Sequence, residues 1–585
     1  MLNWRDIGGI FFHGGRMDLS MAGYLTILMG LFTAFYYSKK LLFIKKFAEY
    51  YTLILLILIS LLQVADMELY RYWGFKLDAS AFEYLANPDA VAGSADIGRT
   101  LSLLTMALAL IIVSYIGYKR KVSAYILKFT ENKVSYSLKM FFLTALLFVP
   151  IRGTFGKQPM SLGFVYFHPN NLFANHSAVN VPWNVIKSAM TLKKTTFPEN
   201  FYDKLKTETY YQQLYAKTTP APKLLKTDRP NVVIICLESF AAKMIGSLGC
   251  KDTTITPRIN ALSKEGILFA NFYANGDRTV EGCLSVLSGY PGLPKTELIR
   301  YENKTQNLPF LSQDFHQAGY YTGMTFGYDL EFAHFGSYFN SGYFDVLTHK
   351  TDFPLEVRHE YEWGVHDHHV LEKISSQLDQ APQPFFWFSM TLSSHEPYTV
   401  PMETVIKGND EASMFKNCAF YSDKCVGEFI DRAKKSSWWD NTLIILVADH
   451  SSRHPIDIPD QGQRILNLWL GGALSVKDTV IHTFGTQCDI ANTLLNQTNI
   501  RYNHYPFSRD LFSPDAQSFA FYTFTNGFRY LNEKFDLEYS LDANKFLKQQ
   551  GTYTEEDLNK GKAILQKLYL ETNALSQRKK LVMNQ

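Results

Sequence analysis

Glu238, Asp329, His395 and the pair Asp449-His450 share a placement: each follows, within a few residues, a run of apolar residues. Glu238 follows Asn231 to Leu237, Asp449-His450 follow Thr442 to Ala448, His395 lies just past Pro384 to Leu392, and Asp329 lies just past Tyr320 to Phe326. Glu, Asp and His together make an oxygen-rich site suited to a hard divalent ion. A further group, Thr279, sits in Gly276-Asp277-Arg278-Thr279-Val280-Glu281-Gly282, a loop that runs into the apolar-periodic Cys283 to Leu287. The backbone N–H groups of a helix start attract phosphate. A hydroxyl placed there against a metal ion would ionise readily and become a nucleophile. The alternatives stay open on spacing alone: any one acidic residue reads equally as a strand-end cap, and Thr279 equally as a helix cap.

The elements that must position these groups alternate. Asn231 to Leu237 reads as a buried strand, continuously apolar and β-branched. Tyr320 to Phe326, Pro384 to Leu392 and Thr442 to Ala448 are further strands. Helical stretches are expected at Thr256 to Glu265, Leu308 to Ala318, Asp367 to Leu378 and Met414 to Lys435. Thr486-x-x-Asp489 is a capping pattern opening a helix to Leu495. Alternation of this kind predicts an α/β domain with a mainly parallel sheet sandwiched by helices. Such sheets bind ligands at the carboxyl ends of their strands, where the groups above collect. His366, His368 and His369 invite a second metal site, but Trp363-Gly364-Val365-His366-Asp367 reads instead as a turn into a helix capped by Asp367. Cys283 reads as a packed helix residue.

The first 151 residues have a different character. Leu19 to Ser38, Tyr50 to Ala65 and Thr100 to Tyr118 carry no charge, and a fourth apolar stretch runs from Met140 to Ile151. About 20 apolar residues cross a hydrocarbon core of about 30 Å. Basic loops stay cytoplasmic. The first loop holds Lys39, Lys40, Lys45 and Lys46; the third holds Lys119, Arg120, Lys121, Lys128, Lys133 and Lys139 against Glu131. The middle loop is acidic on balance, with Asp66, Glu68, Asp78, Glu83, Asp89 and Asp96 against Arg71, Lys76 and Arg99. Four spans therefore leave the N-terminus and everything after Ile151 outside the cytosol; without the fourth, the large remainder would be cytoplasmic. The expected organisation is a transmembrane region at 1–151, a linker or membrane-surface segment at 152–230, the α/β domain at 231–515 and a C-terminal extension at 516–585 packing on it. The linker aromatics Phe164, Tyr166, Phe167, Tyr210 and Tyr211 fit either a lipid interface or packing on the next domain.

Composition excludes some classes. With 58 Lys and Arg against 55 Asp and Glu, the chain of 585 residues carries a net charge of +3, which argues against a general nucleic-acid-binding face. Six cysteines without a CxxC pair give neither a disulfide framework nor a zinc ribbon. No GxxxxGK[ST] loop is present, so a P-loop nucleotide donor is not indicated.

Taken in order, Asn231 to Phe240, Thr256-Pro257 with Gly266 to Tyr273, Arg278 to Gly282, Ser393-Ser394-His395-Glu396-Pro397-Tyr398 and Ala448-Asp449-His450 resemble the lipoteichoic acid synthase-like, phosphoglycerol transferase branch of the alkaline phosphatase/sulfatase superfamily. The resemblance covers about 231 to 512. It implies that Glu238, Thr279, Asp449 and His450 hold one divalent ion, Mn2+ first and Mg2+ or Zn2+ as alternatives. It implies Thr279 as nucleophile and His395 as phosphate contact or acid–base group. Asp329 and His334 would contact the head group, and Arg278, with Arg453 as a further contact, the phosphate. Relatives often have Gly where Ser451 stands, and usually five spans; the Gly14 to Ser20 run resembles the segment after the family's first span, so that span is expected to be missing here. A sulfatase would need Cys or Ser, convertible to formylglycine, at Thr279, with Pro and Arg following.

The function expected from this resemblance is a membrane-anchored transferase. It would move phosphoglycerol from a phospholipid, phosphatidylglycerol or phosphatidylethanolamine, to an envelope glycan or glycolipid through phospho-Thr279. A phosphoethanolamine transferase, a sulfatase-family hydrolase and an inactive membrane-anchored binding protein are the alternatives. The place would be the inner membrane, multi-pass, with the catalytic domain on the extracytoplasmic side and no nucleic-acid partner.

Overall fold

A computed structural model describes residues 2–35, 41–73, 97–124, 134–153, 172–192, 201–216, 219–330, 335–454, 462–501 and 505–575, with isolated positions at 76–77, 81, 160, 165, 167–168 and 333. The chain divides into two compact units, Met1–Thr195 with Ser540–Lys548, and Thr196–Tyr539 with Gln549–Gln585.

The first unit is helical. Helix α1 (Trp4–Phe35), α2 (Leu41–Trp73) and α3 (Ile97–Tyr118) are apolar over most of their lengths. By length and composition, three helices among the described residues are able to cross a membrane: Trp4–Ala34, Phe43–Arg71 and Ile97–Ser123. The first begins 15 residues earlier than the charge-free stretch at Leu19, because the Arg5-to-Asp18 segment continues the same helix. The fourth expected stretch is α4 (Val134–Leu146), followed after one turn residue by the short helix Phe148–Arg152. Small residues bring α1 against α4. A Cβ on Gly30 would meet Thr144 Oγ1 at 2.4 Å, and Ser20 Oγ donates to the Ile151 carbonyl at 2.9 Å. Such contacts through small residues support helix association in lipid. Lys39, Lys40, Asp78, Glu83, Asp89, Asp96, Lys128, Glu131 and Lys133, part of the charge pattern that sets orientation, lie outside the described residues.

The second unit is built on an eight-stranded sheet. Its strands are β1 (Asn231–Leu237), β2 (Ile267–Phe269), β4 (Tyr321–Phe326), β5 (Val346–Thr348), β6 (Phe385–Met390), β7 (Thr442–Ala448), β8 (Asn467–Leu470) and β9 (Thr479–Ile481). The order is β5-β4-β6-β1-β7-β8-β2-β9. Pairing is parallel except around β8, which runs antiparallel to β7 and β2. The central strand β1 lies between β6 and β7, and every residue of β1 and β7 is buried. Both read as uninterrupted apolar runs because helices cover both faces. Each fully buried Val, Ile or Leu contributes about 1.5–3 kcal/mol of hydrophobic stabilisation.

Two additions complete the unit. Strand β3 (Phe272–Tyr273) pairs in parallel with β10 (Gly485–Thr486). The C-terminal residues form β11 (Ala520–Phe524), β12 (Gly527–Leu531) and β13 (Phe535–Ser540), with β11 and β12 antiparallel. Asn275 ties this segment to the main body: its side-chain amide donates to the Phe521 carbonyl at 2.9 Å and its carbonyl accepts the Thr523 N–H at 3.1 Å. Tyr211, one of the two-way aromatics, is buried and donates its hydroxyl to the Pro506 carbonyl. It packs within this unit rather than at a lipid interface.

Candidate functional site

β1 and β7 are neighbours in register, Leu237 opposite Ala448, so the residues after them, Glu238 and Asp449-His450, emerge side by side. A third element closes the group: α5 (Thr279–Ser288), whose first residue is Thr279. The helix meets the end of β7 through Gly282, where a Cβ would lie 2.2 Å from the Asp449 carbonyl oxygen. Only glycine permits that approach. Gln487 fixes the strand end from the other side, donating its Nε2 to the carbonyls of Ala448 at 2.7 Å and Asp449 at 2.6 Å.

Thr279 does not cap its helix. The N-cap position belongs to Arg278, which makes no side-chain cap bond. The Thr279 hydroxyl turns to Glu238 Oε2 at 3.2 Å and His450 Nε2 at 3.4 Å. His450 Nε2 stands 3.4 Å from both Glu238 Oε1 and Asp449 Oδ2. One ligand atom each from Glu238, Asp449 and His450 falls within 4.8 Å of the others. His450 Nδ1 lies 3.0 Å from the Ser451 carbonyl, so that nitrogen carries the proton and Nε2 offers the lone pair.

The donors fit a divalent ion. Asp449 is fully buried; its Oδ1 accepts the N–H groups of Ser239 at 2.8 Å and His450 at 2.7 Å, while its Oδ2 is buried without a hydrogen bond. Burial, and then the Glu238 charge, push Asp449 up to about 8. Burial would also raise Glu238, yet the His450 ring beside it holds that carboxyl below the usual range. Burial lowers His450, but the facing carboxylates outweigh it and bring the ring up to about 10. Two buried carboxylates drawing a proton onto the histidine form a coupled set short of positive charge, which a cation would supply in exchange for that proton.

His395 lies on the loop after β6, half-buried, with its Nδ1 3.1 Å from the Glu396 carbonyl. The preceding Ser394 donates its hydroxyl to the Glu238 carbonyl at 2.6 Å, so this loop borders the same site. The Trp363 ring lies 4.1 Å from the His395 ring and 5.6 Å from Tyr328, whose chain neighbour is Asp329. An aromatic row thus leads from His395 towards Asp329. His334 lies outside the described residues. Arg278 pairs with Glu297 at 2.5 Å, and Glu297 also takes Arg300 at 2.8 Å. Arg453 is exposed, in the electrostatic reach of Asp277, Arg278 and Glu396. The next residue, His454, meets the Tyr398 hydroxyl at 2.8 Å.

The three histidines at the start of α6 (Asp367–Leu378) are engaged elsewhere. His366 faces Ser393 Oγ at 3.2 Å, His368 the Tyr421 hydroxyl, and His369 Glu360 at 3.2 Å. Asp367 does not cap the helix as its position predicts. His366 occupies the N-cap, and the Asp367 carboxylate accepts the N–H groups of Leu392 and Ser393 across the sheet. Sequence reasoning missed Gln487, Gly282 and this use of Asp367. The first two act through backbone, and the third through a loop 25 residues away, so none has a local signal.

The sulfatase family model matches residues 230–500. Lipoteichoic acid synthase 1 of Bacillus subtilis (strain 168) is 25% identical over 337 residues, covering 53% of this chain and 52% of that protein. Phosphoglycerol transferase I of Xanthomonas euvesicatoria pv. vesicatoria is 26% identical over 286 residues, 45% of this chain and 40% of that protein. The chain therefore spans about half or less of the length of these curated relatives. Among solved structures, a protein of the alkaline phosphatase superfamily from Vibrio parahaemolyticus superposes with a TM-score of 0.56 and 25% identity, over 65% of this chain and 98% of that one. Residues 230–500 thus match the sulfatase family and share the alkaline phosphatase-like fold. Apolar N-terminal helices precede it in a membrane protein.

Proposed function

We propose that the protein is a membrane-anchored, metal-dependent phosphotransferase that moves a phosphoglycerol head group from a phospholipid to an envelope glycan or glycolipid. The observation that carries this reading is the Thr279 hydroxyl, set at a helix N-terminus within 3.2 Å of Glu238 and 3.4 Å of His450. The names of the curated relatives supply the head group: they are a lipoteichoic acid synthase and a phosphoglycerol transferase. In this reading 1–151 is the membrane region, 152–230 a linker, 231–515 the catalytic domain and 516–585 an extension. With the α4 stretch as a fourth span, the basic loops would leave the catalytic domain outside the cytosol, where a lipid rather than a nucleotide is the donor at hand.

Glu238, Asp449, His450 and Thr279 would hold one divalent ion, Mn2+, Mg2+ or Zn2+. Once bound, the ion neutralises phosphoryl charge and lowers the pKa of the hydroxyl. The Thr279 oxygen attacks the phosphorus of the donor and gives its proton to solvent. The bond from phosphorus to the diacylglycerol oxygen breaks, and His395 supplies the proton that oxygen needs. Phosphoglycerol is then carried on Thr279. In the second half an acceptor hydroxyl attacks the same phosphorus and His395 takes its proton; the bond from phosphorus to the Thr279 oxygen breaks, and that oxygen regains a proton from solvent. Asp329 and the Trp363 face border the head group, and Arg278 and Arg453 attract the phosphate. Thr279 cannot become formylglycine, which disfavours sulfate-ester hydrolysis.

The test is incubation of the full-length protein in lipid vesicles with phosphatidylglycerol or phosphatidylethanolamine, each head-group labelled, and mass analysis of Thr279. The expected result is a phosphoglycerol adduct on Thr279 from the first lipid. A phosphoethanolamine adduct would shift the donor assignment, and no adduct with either lipid would sink the reading.

A further inference from the structure

The loop carrying His395 is anchored by a carboxylate that takes no part in the steps above. Asp367, the first residue of α6, is fully buried. Its Oδ1 accepts the N–H groups of Leu392 at 2.7 Å and Ser393 at 3.0 Å. Its Oδ2 accepts the Ser422 hydroxyl at 2.6 Å, from α7 (Glu411–Ala433). Ser393 answers by accepting the Asp367 N–H at 3.0 Å. The constraint then passes along the loop. The Leu392 carbonyl accepts the His395 N–H at 3.0 Å, and the His395 carbonyl accepts the Tyr361 hydroxyl at 2.7 Å. Between them, Ser394 Oγ donates to the Glu238 carbonyl at 2.6 Å.

We propose that Asp367 is a positioning residue for His395: by clasping Leu392 and Ser393 it fixes the turn 392–395 and so sets the imidazole against the reacting phosphoryl group. The proposal rests on His395 acting in the transfer. The clasp works by shape. An Asn at 367 reproduces it, with Oδ1 accepting both N–H groups and Nδ2 donating to Ser422 Oγ. An Ala leaves two N–H groups buried without acceptors, which a loop relieves by moving. Near-attack geometry is sensitive to such movement.

The experiment is a double-mutant cycle on the full-length protein in detergent. It reads diacylglycerol release from phosphatidylglycerol, or from phosphatidylethanolamine if that is the lipid turned over. His395→Ala is expected to lower kcat/KM by about 100-fold and Asp367→Ala by roughly 10-fold or more. The pair should be no worse than His395→Ala alone, and Asp367→Asn should stay within about three-fold of the native protein. Losses that multiply in the double variant overturn the positioning role while leaving the reaction intact. Full turnover in His395→Ala overturns the role of His395 and the proposal with it. Where Asp367→Ala does not fold, Ser393→Ala removes one arm of the clasp and enters the same cycle, with the same two outcomes.

Discussion

Two clusters of histidine and carboxylate sit in one domain, and they differ in what is left over. At the ends of β1 and β7, Glu238, Asp449 and His450 crowd together, with Asp449 Oδ2 buried and without a hydrogen bond. At the start of α6, His366, His368, His369 and Asp367 are at least as dense in donors. There each ring has a neighbour, Ser393, Tyr421 or Glu360, and the carboxylate is shared among three donors. The charge balance differs too. The first cluster raises His450 to about 10 because two carboxylates outweigh its burial. In the second, burial and the neighbouring His368 bring His366 down to about 4. Composition alone does not separate a metal site from a structural clasp; unsatisfied lone pairs and the sign of the surrounding charge do.

The comparison breaks most visibly at Thr279. Thr279→Ala should reduce transfer by at least about 10³-fold, the scale of losing a nucleophile, while leaving thermal unfolding of the full-length protein unchanged. Retained turnover would remove Thr279 from the chemistry. Asp449→Asn comes next. A divalent ion at about 100 times its Kd stabilises a folded protein by about 2.7 kcal/mol. In the native protein that appears as a rise in Tm of several degrees on adding Mn2+, and the Asn variant should lose the rise. A variant that keeps it would remove Asp449 from the ligand set.

How much of this was legible follows from where the information lies. Strands β1 and β7 were readable to the residue, Asn231 to Leu237 and Thr442 to Ala448, because burial on both faces leaves a continuous β-branched run. Strands β2, β8 and β9, with three or four residues each, carry no period to read, and the C-terminal strands escaped notice. Glu238 and Asp449-His450 stood out because rare chemistry followed those runs at once. Asp367 did not, since a local rule places an Asp at a helix start as a cap, and only the tertiary fold brings Leu392 and Ser393 within its reach. Nor does any local signal announce the pairing of Arg278 with Glu297, 19 residues away.

Gly282 sharpens the comparison at smaller amplitude. In Gly282→Ala the new methyl would press on the Asp449 backbone, lying 2.2 Å from its carbonyl oxygen; overpacking of this kind costs about 1–3 kcal/mol. Turnover should fall by roughly 10-fold, with the Mn2+-dependent rise in Tm diminished as α5 moves off the end of β7. A variant with native turnover would mean that α5 does not need its close seat on β7.

His369→Ala should have the smallest effect. Its ring is partly exposed and meets Glu360 at 3.2 Å, also at the surface, and such pairs contribute about 0–1 kcal/mol. Turnover is therefore expected within about two-fold of native, and the Mn2+-dependent rise in Tm intact. The same replacement would be severe if the α6 histidines formed a ligand set, since removing one of three ligands weakens a metal far more than it weakens a surface pair. Loss of metal stabilisation in this variant would thus dissolve the distinction between the two clusters, and its retention places the ion-binding chemistry at the ends of β1 and β7.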